Sequence, residues 1–124
     1  MVDTYDSICL EANEVVTGVK QISYEQFVRI RHSGDLYILL DVLPFKSFRR
    51  GHLEGSVSFP LETISEENAS IILYKDSKVI TYSMSSECYA STASAIKLAE
   101  MGYSVLDYKG GMKEWVEHGN ILVT

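Results

Sequence analysis

Apolar and polar positions alternate along the chain in a way that separates helices from strands. Residues 5–16 carry Ile8, Leu10, Ala12, Val15 and Val16 in a loose helical stripe, which predicts a short N-terminal helix. Residues 19–22 read as a short strand. Ser23 and Gln26 then form an S-x-x-Q pattern, the signature of a capping box, opening a helix over 24–32 with Phe27 and Ile30 inward and Gly34 as its stop. The continuous apolar run over 36–42, ending in Asp41-Val42, reads as a strand buried on both faces. Pro44 opens a short helical stretch through Phe48 that Gly51-His52 ends, and residues 57–59 make a strand closed by Pro60. A helix and turn occupy 61–74, contacting the interior through Ile64, Ile71, Ile72 and Leu73. Residues 78–82 (KVITY) are a β-branched strand, 83–89 a loop, and 90–101 an amphipathic helix stopped by Gly102. A strand over 103–108 follows. Gly110-Gly111 opens a last helix through Trp115 and Val116, stopped near Gly119, and residues 121–123 read as a final edge strand.

Strands that alternate with helices imply right-handed crossovers and an α/β fold. The expected architecture is a central parallel sheet of about five strands with helices on both faces, plus the N-terminal helix. In such sheets ligands sit at the carboxyl ends of strands, where the next helix starts. The loop after Tyr82 is therefore the first place to look for chemistry.

Composition narrows the class. With 124 residues, 46% hydrophobic and 23% charged, the chain fits one globular domain with a core that needs no disulfide staples. It has no repeat, low-complexity tract or linker-like run. No apolar stretch approaches the ~18 residues of a membrane span, and no basic segment followed by an apolar one marks a secretory signal. The formal net charge of −6 argues against a nucleic-acid or membrane partner, which would need clustered cations. Cys9 and Cys88 show neither C-x-x-C spacing nor a zinc pattern, so the expectation is a reduced, cytoplasmic chain with no metal and no cofactor.

Three blocks of residues carry a resemblance. The first is Leu39-Leu40-Asp41-Val42 with Gly51-His52-Leu53-Glu54-Gly55-Ser56 and Phe59-Pro60. The second is Val79-Ile80-Thr81-Tyr82 with its loop and helix, ending Gly102-Tyr103. The third is Lys109-Gly110-Gly111-Met112 with Trp115. Together, in this order, they resemble a single rhodanese-like (sulfurtransferase) domain, covering about residues 21–119. The division implied is an extension over 1–20 and a domain over 21–124. The resemblance implies an active-site loop after the 78–82 strand, whose first residue is a cysteine that carries sulfur as a persulfide. Backbone amides and a helix N-terminus would lower that thiol's pKa and hold an anionic donor.

Here the position is Ser83. Some members have a loop of the form Y-C-x-x-x-x-C-x-x-S. This one reads Tyr82-Ser83-Met84-Ser85-Ser86-Glu87-Cys88-Tyr89-Ala90-Ser91, so Cys88 matches the second cysteine and Ser91 the later serine. Serine cannot form a persulfide. Leu43 stands where the family often has arginine, and Glu87 adds negative charge to a loop that should attract anions. The candidate site is then Ser83 at the catalytic position and an anion-binding loop of Met84, Ser85, Ser86, Glu87, Cys88 and Tyr89. Asp41, His52, Ser91, Gly110 and Gly111 support it. Asp41 is expected to accept backbone N–H bonds, and His52 to hold the turn before the next strand. Cys88 reads as a small buried residue or as a surrogate thiol. Trp115 reads as core.

Two functions compete. One is sulfur transfer from thiosulfate or a persulfide to a thiol acceptor in a form with cysteine at 83, this chain being inactive. The other is a non-catalytic binding or regulatory module with a partner protein. A phosphatase, related in loop geometry, would need a loop cysteine and arginine that are absent. A serine hydrolase would need a G-x-S-x-G elbow, also absent.

Overall fold

A computed structural model of the chain describes residues 19–124, so the helix read over 5–16 lies outside the described residues. Five strands there form one parallel sheet. They are β1 (Lys20–Ile22), β2 (Ile38–Asp41), β3 (Val57–Ser58), β4 (Lys78–Tyr82) and β5 (Ser104–Tyr108), in the spatial order β1-β5-β4-β2-β3. The helices between them are α1 (Tyr24–His32), α2 (Phe45–Arg50), α3 (Glu66–Ile72), α4 (Ala90–Glu100) and α5 (Gly111–Glu117), with a 3-10 turn at Leu61–Thr63. All five strands run parallel, so every strand's carboxyl end lies on one edge of the sheet.

The capping box forms as its spacing predicts. Gln26 N donates to Ser23 Oγ at 3.1 Å and Ser23 N to Gln26 Oε1 at 2.8 Å, which fixes the start of α1. Strand alternation divides the interior in two. Leu40, Val42, Val79 and Val105 point to one face and pack with Ala69, Ala90, Ala95 and Leu98 from α3 and α4. Leu39, Ile80, Tyr82 and Tyr108 point to the other and pack with Phe27 of α1 and Met112 of α5, joined by Trp115. Helices therefore cover both faces, as the alternation of elements requires.

Three expectations change. Ile71, read as an interior contact, is 76% exposed, while Ile64 and Leu73 are buried. The apolar run over 36–42 supplies a strand only from Ile38 on, because Leu36 lies before the sheet begins and is 90% exposed. Residues 121–123 do not form an edge strand. Val123 makes one antiparallel bridge to His52, with hydrogen bonds of 2.9 Å in both directions. The partner offered there is a turn, which presents a single residue in extended geometry.

Candidate functional site

The loop over residues 83–89 links the carboxyl end of β4 to the start of α4, and the segment after β5 fastens it at both ends. Met112 N donates to Ser83 O at 3.0 Å and Lys113 N to Met84 O at 2.8 Å. These amides belong to the first turn of α5, where helix geometry leaves N–H groups without an intrahelical acceptor. The approach demands glycine. Gly111 has φ +67°, and a Cβ there would lie 2.5 Å from Ser83 O and 2.9 Å from Met84 C. At the other end Lys109 Nζ donates to Cys88 O at 2.8 Å. Inside the loop, Cys88 N closes a turn on Ser85 O at 3.0 Å and Glu87 N reaches Ser85 Oγ at 3.3 Å.

Ser83 itself is fully buried, and among the described residues its Oγ has no hydrogen-bond partner. A buried hydroxyl left unpaired costs on the order of 1–3 kcal/mol. Met84, Ser86 and Glu87 are exposed, whereas Cys88 is buried. Cys88 is disulfide-bonded, which corrects the expectation of a reduced thiol there.

Two buried aspartates brace the surrounding strand ends. Asp41 Oδ1 accepts Leu43 N at 3.0 Å, as expected, and Oδ2 accepts the Tyr82 hydroxyl at 2.7 Å. That hydroxyl also receives Leu53 N at 3.1 Å and lies 3.0 Å from Ser56 Oγ. Burial pushes the Asp41 carboxyl above its ordinary value, opposed by the Tyr82 and Leu43 hydrogen bonds and by His52. Burial and the Asp41 charge push the Tyr82 phenol far upward, so it stays a donor. Asp107, at the end of β5, accepts the Thr92 hydroxyl at 2.6 Å beside the first turn of α4. Burial raises its carboxyl as well, against the Ser91 and Thr92 hydroxyls and the Lys109 charge. Lys109 is lowered by burial, with Asp107 opposing.

The rhodanese-like domain profile matches residues 23–118. The chain belongs to this family. Among solved structures, the domain is similar to the BH2092 protein of Bacillus halodurans, with a TM-score of 0.75 and 23% identity over 84% of this chain and 76% of the other. It is similar also to the Rhodanese_3 like domain of the Alr3790 protein of Anabaena, with a TM-score of 0.63 and 25% identity over 71% of this chain and 99% of that one. A curated relative, the HTH-type transcriptional regulator Rv0324 of Mycobacterium tuberculosis, is 26% identical over 95 residues. These are 76% of this chain but 40% of the regulator, so the chain spans about two-fifths of that relative's length.

Within this rhodanese-like domain, the structure brings Ser83, Met84, Ser85, Glu87, Cys88, Gly111 and Lys109 together through the contacts above. Gly110 begins α5 with an ordinary φ of −62°, and a Cβ there would run into the Glu114 side chain. Ser91 is buried, and its carbonyl accepts Thr81 Oγ1 at 3.0 Å. His52 is occupied with structure. Its Nδ1 lies 2.8 Å from Phe48 O, and its ring stacks on Phe48 at 3.7 Å. Leu43, at the arginine position, is fully buried in apolar packing. Trp115 packs against Phe27 and Tyr24, with Arg31 over its ring at 5.2 Å.

Lys109, Asp107, Thr92 and the Tyr82 hydroxyl were not legible as site residues. Lys109 precedes the Gly110-Gly111 pair, and that adjacency was the signal that could have found it. No described helix is long and apolar enough to cross a membrane.

Proposed function

We propose that this rhodanese-like domain does not carry sulfur and works as a binding module in regulation. One observation carries the reading: the loop residue that the family resemblance assigns to the persulfide-forming cysteine is Ser83, whose hydroxyl is buried with no hydrogen-bond partner among the described residues. A serine oxygen has neither the low pKa nor the softness to attack a sulfur donor. Cys88 offers no replacement nucleophile while it is held in a disulfide. A loop fastened at Ser83, Met84 and Cys88 keeps its shape without the chemistry. The likeness to a relative named as a transcriptional regulator supports a regulatory setting.

The second reading keeps the family's activity in the lineage: transfer of sulfur from a small anionic donor to a thiol acceptor through a cysteine at 83. It is favoured by the retained loop between β4 and α4. A thiosulfate:cyanide assay on this chain beside its Ser83→Cys variant separates the two. The module reading expects no turnover from this chain and overturns if it forms thiocyanate. A gain of turnover in the variant supports an ancestral transferase site.

A further inference from the structure

The chain carries six more acidic than basic groups, 17 against 11, yet α2 concentrates cations on one face. Lys46, Arg49 and Arg50 line one cavity of about 250 Å³, and all three reach solvent. Among the described residues none of the three heads has an ion-pair or hydrogen-bond partner. Arg49 and Arg50 in the last turn complement the dipole of α2, but three like charges side by side without a counter-charge repel and leave an unmatched positive face. Beside them Phe45 is 56% exposed, its ring 6.1 Å from that of Phe48. Phe48 is in turn stacked on His52, which anchors the inner side of α2 and leaves the outer side uncovered.

Position gives this face a relation to the loop. α2 springs from the carboxyl end of β2 and the 83–89 loop from that of β4. These strands are neighbours, with Asp41 and Tyr82 in register. The start of α2 therefore lies on the same edge of the sheet as Ser83.

We infer that the outer face of α2 docks a short acidic segment of a partner protein, its carboxylates on Lys46, Arg49 and Arg50 and an apolar side chain on Phe45. The inference rests on the binding-module reading and names the partner's chemistry. Charge complementarity selects this occupant. Arg presents a planar fork that takes carboxylates bidentately, and two of the three cations are Arg. The face is small: six residues of helix rise only about 9 Å. Glu62 and Glu87 are exposed in the segments that follow the carboxyl ends of β3 and β4, on this edge. A broad anionic membrane would approach those acids too, whereas a short peptide meets the cations alone.

The test uses the full chain and a labelled peptide of about eight residues, rich in Asp and Glu with one Leu, against its Asn/Gln counterpart. Fluorescence anisotropy reads binding at about 20 mM and about 300 mM salt. The expected result is binding of the acidic peptide only, weakened at least about tenfold by salt and by the double variant Arg49→Ala/Arg50→Ala. Circular dichroism checks that the variant is folded, and Phe45→Ala should weaken binding without changing its salt dependence. Equal binding of both peptides, or an unaffected Arg49→Ala/Arg50→Ala variant, overturns the inference. So does Arg-dependent binding to phosphatidylcholine vesicles with about one-third phosphatidylserine that exceeds peptide binding. None of these readouts depends on sulfur transfer, so the docking surface and the silent site fail independently.

Discussion

The Tyr82 hydroxyl donates to Asp41 Oδ2 at 2.7 Å, joining the last residues of two neighbouring parallel strands. The same oxygen accepts Leu53 N at 3.1 Å. One phenol therefore ties the ends of β4 and β2 to the turn that leads into β3, beneath the loop where function is sought.

Tyr82→Phe removes that oxygen and nothing else of size. It leaves a buried carboxylate oxygen and a buried N–H without their partner. The expected loss of stability is about 2–3 kcal/mol, read as a lower urea midpoint with an unchanged m-value. A variant as stable as the parent would show that the network is ornamental and that Ser56 or water replaces it.

Gly111 makes the second prediction, with Gly102 as its control. Both have positive φ, but a Cβ at Gly102 meets nothing within 4 Å, whereas at Gly111 it meets the backbone of Ser83 and Met84. Gly102→Ala should cost about 1–2 kcal/mol, the ordinary penalty for a left-handed non-glycine residue. Gly111→Ala should cost clearly more and should speed hydrogen exchange at the Met112 and Lys113 amides, because it pushes the loop off α5. Equal costs for the two would mean that the loop yields freely.

The order of elements was readable because period and punctuation agreed. The S-x-x-Q box at Ser23 and Gln26, the β-branched 78–82 run and the glycine at 102 each state a local rule, and each element formed there. The apolar run over 36–42 misled at its start, since hydrophobicity does not say where a neighbouring strand begins to pair, and only Ile38 onward finds β4. The site was half visible. Strand, loop and helix order pointed to the loop after Tyr82, and the family resemblance, not the order, singled out position 83 within it. The hold of Lys109 on Cys88 and of Asp107 on Thr92 depends on contacts across 21 and 15 residues that no spacing encodes. Burial of Ser83 was equally out of reach, because exposure of a loop residue is set by what folds over it.

The raised carboxyls of Asp107 and Asp41 give a pH dependence with a definite sign. Desolvation favours the protonated form in the folded state, so the unfolded chain releases these protons first, at about pH 4. As pH climbs from there through the folded-state values, the unfolded state binds fewer protons than the folded one and stability falls. Asp107→Asn removes one such group. Compared with that variant, the parent should lose urea stability as pH rises from about 4 through the folded-state value of Asp107 and level off above it. A stability difference that stays constant with pH would show that Asp107 is ionised in the folded protein as readily as in water.

Burial also limits what restoring sulfur at position 83 can do. Ser83→Cys would place a thiol where the parent side chain is fully buried, and apolar surroundings raise a thiol's pKa and shield it from reagents. The fastening of the loop by Met112, Lys113 and Lys109 keeps it there. Under non-reducing conditions, iodoacetamide should therefore label the thiol introduced at position 83 at least about a hundredfold more slowly than it labels the same thiol in the unfolded chain, in keeping with a site that must open before it reacts. Thiosulfate:cyanide turnover should be measurable but low. Adding Lys109→Met frees the carbonyl of Cys88 and should raise the labelling rate several-fold, with a stability loss of only about 1 kcal/mol for one surface-proximal hydrogen bond. Peptide mapping by mass spectrometry assigns the label to position 83. Labelling of the single variant as fast as that of a free thiol would show that the loop opens on its own, and that Lys109 plays no part in keeping position 83 closed.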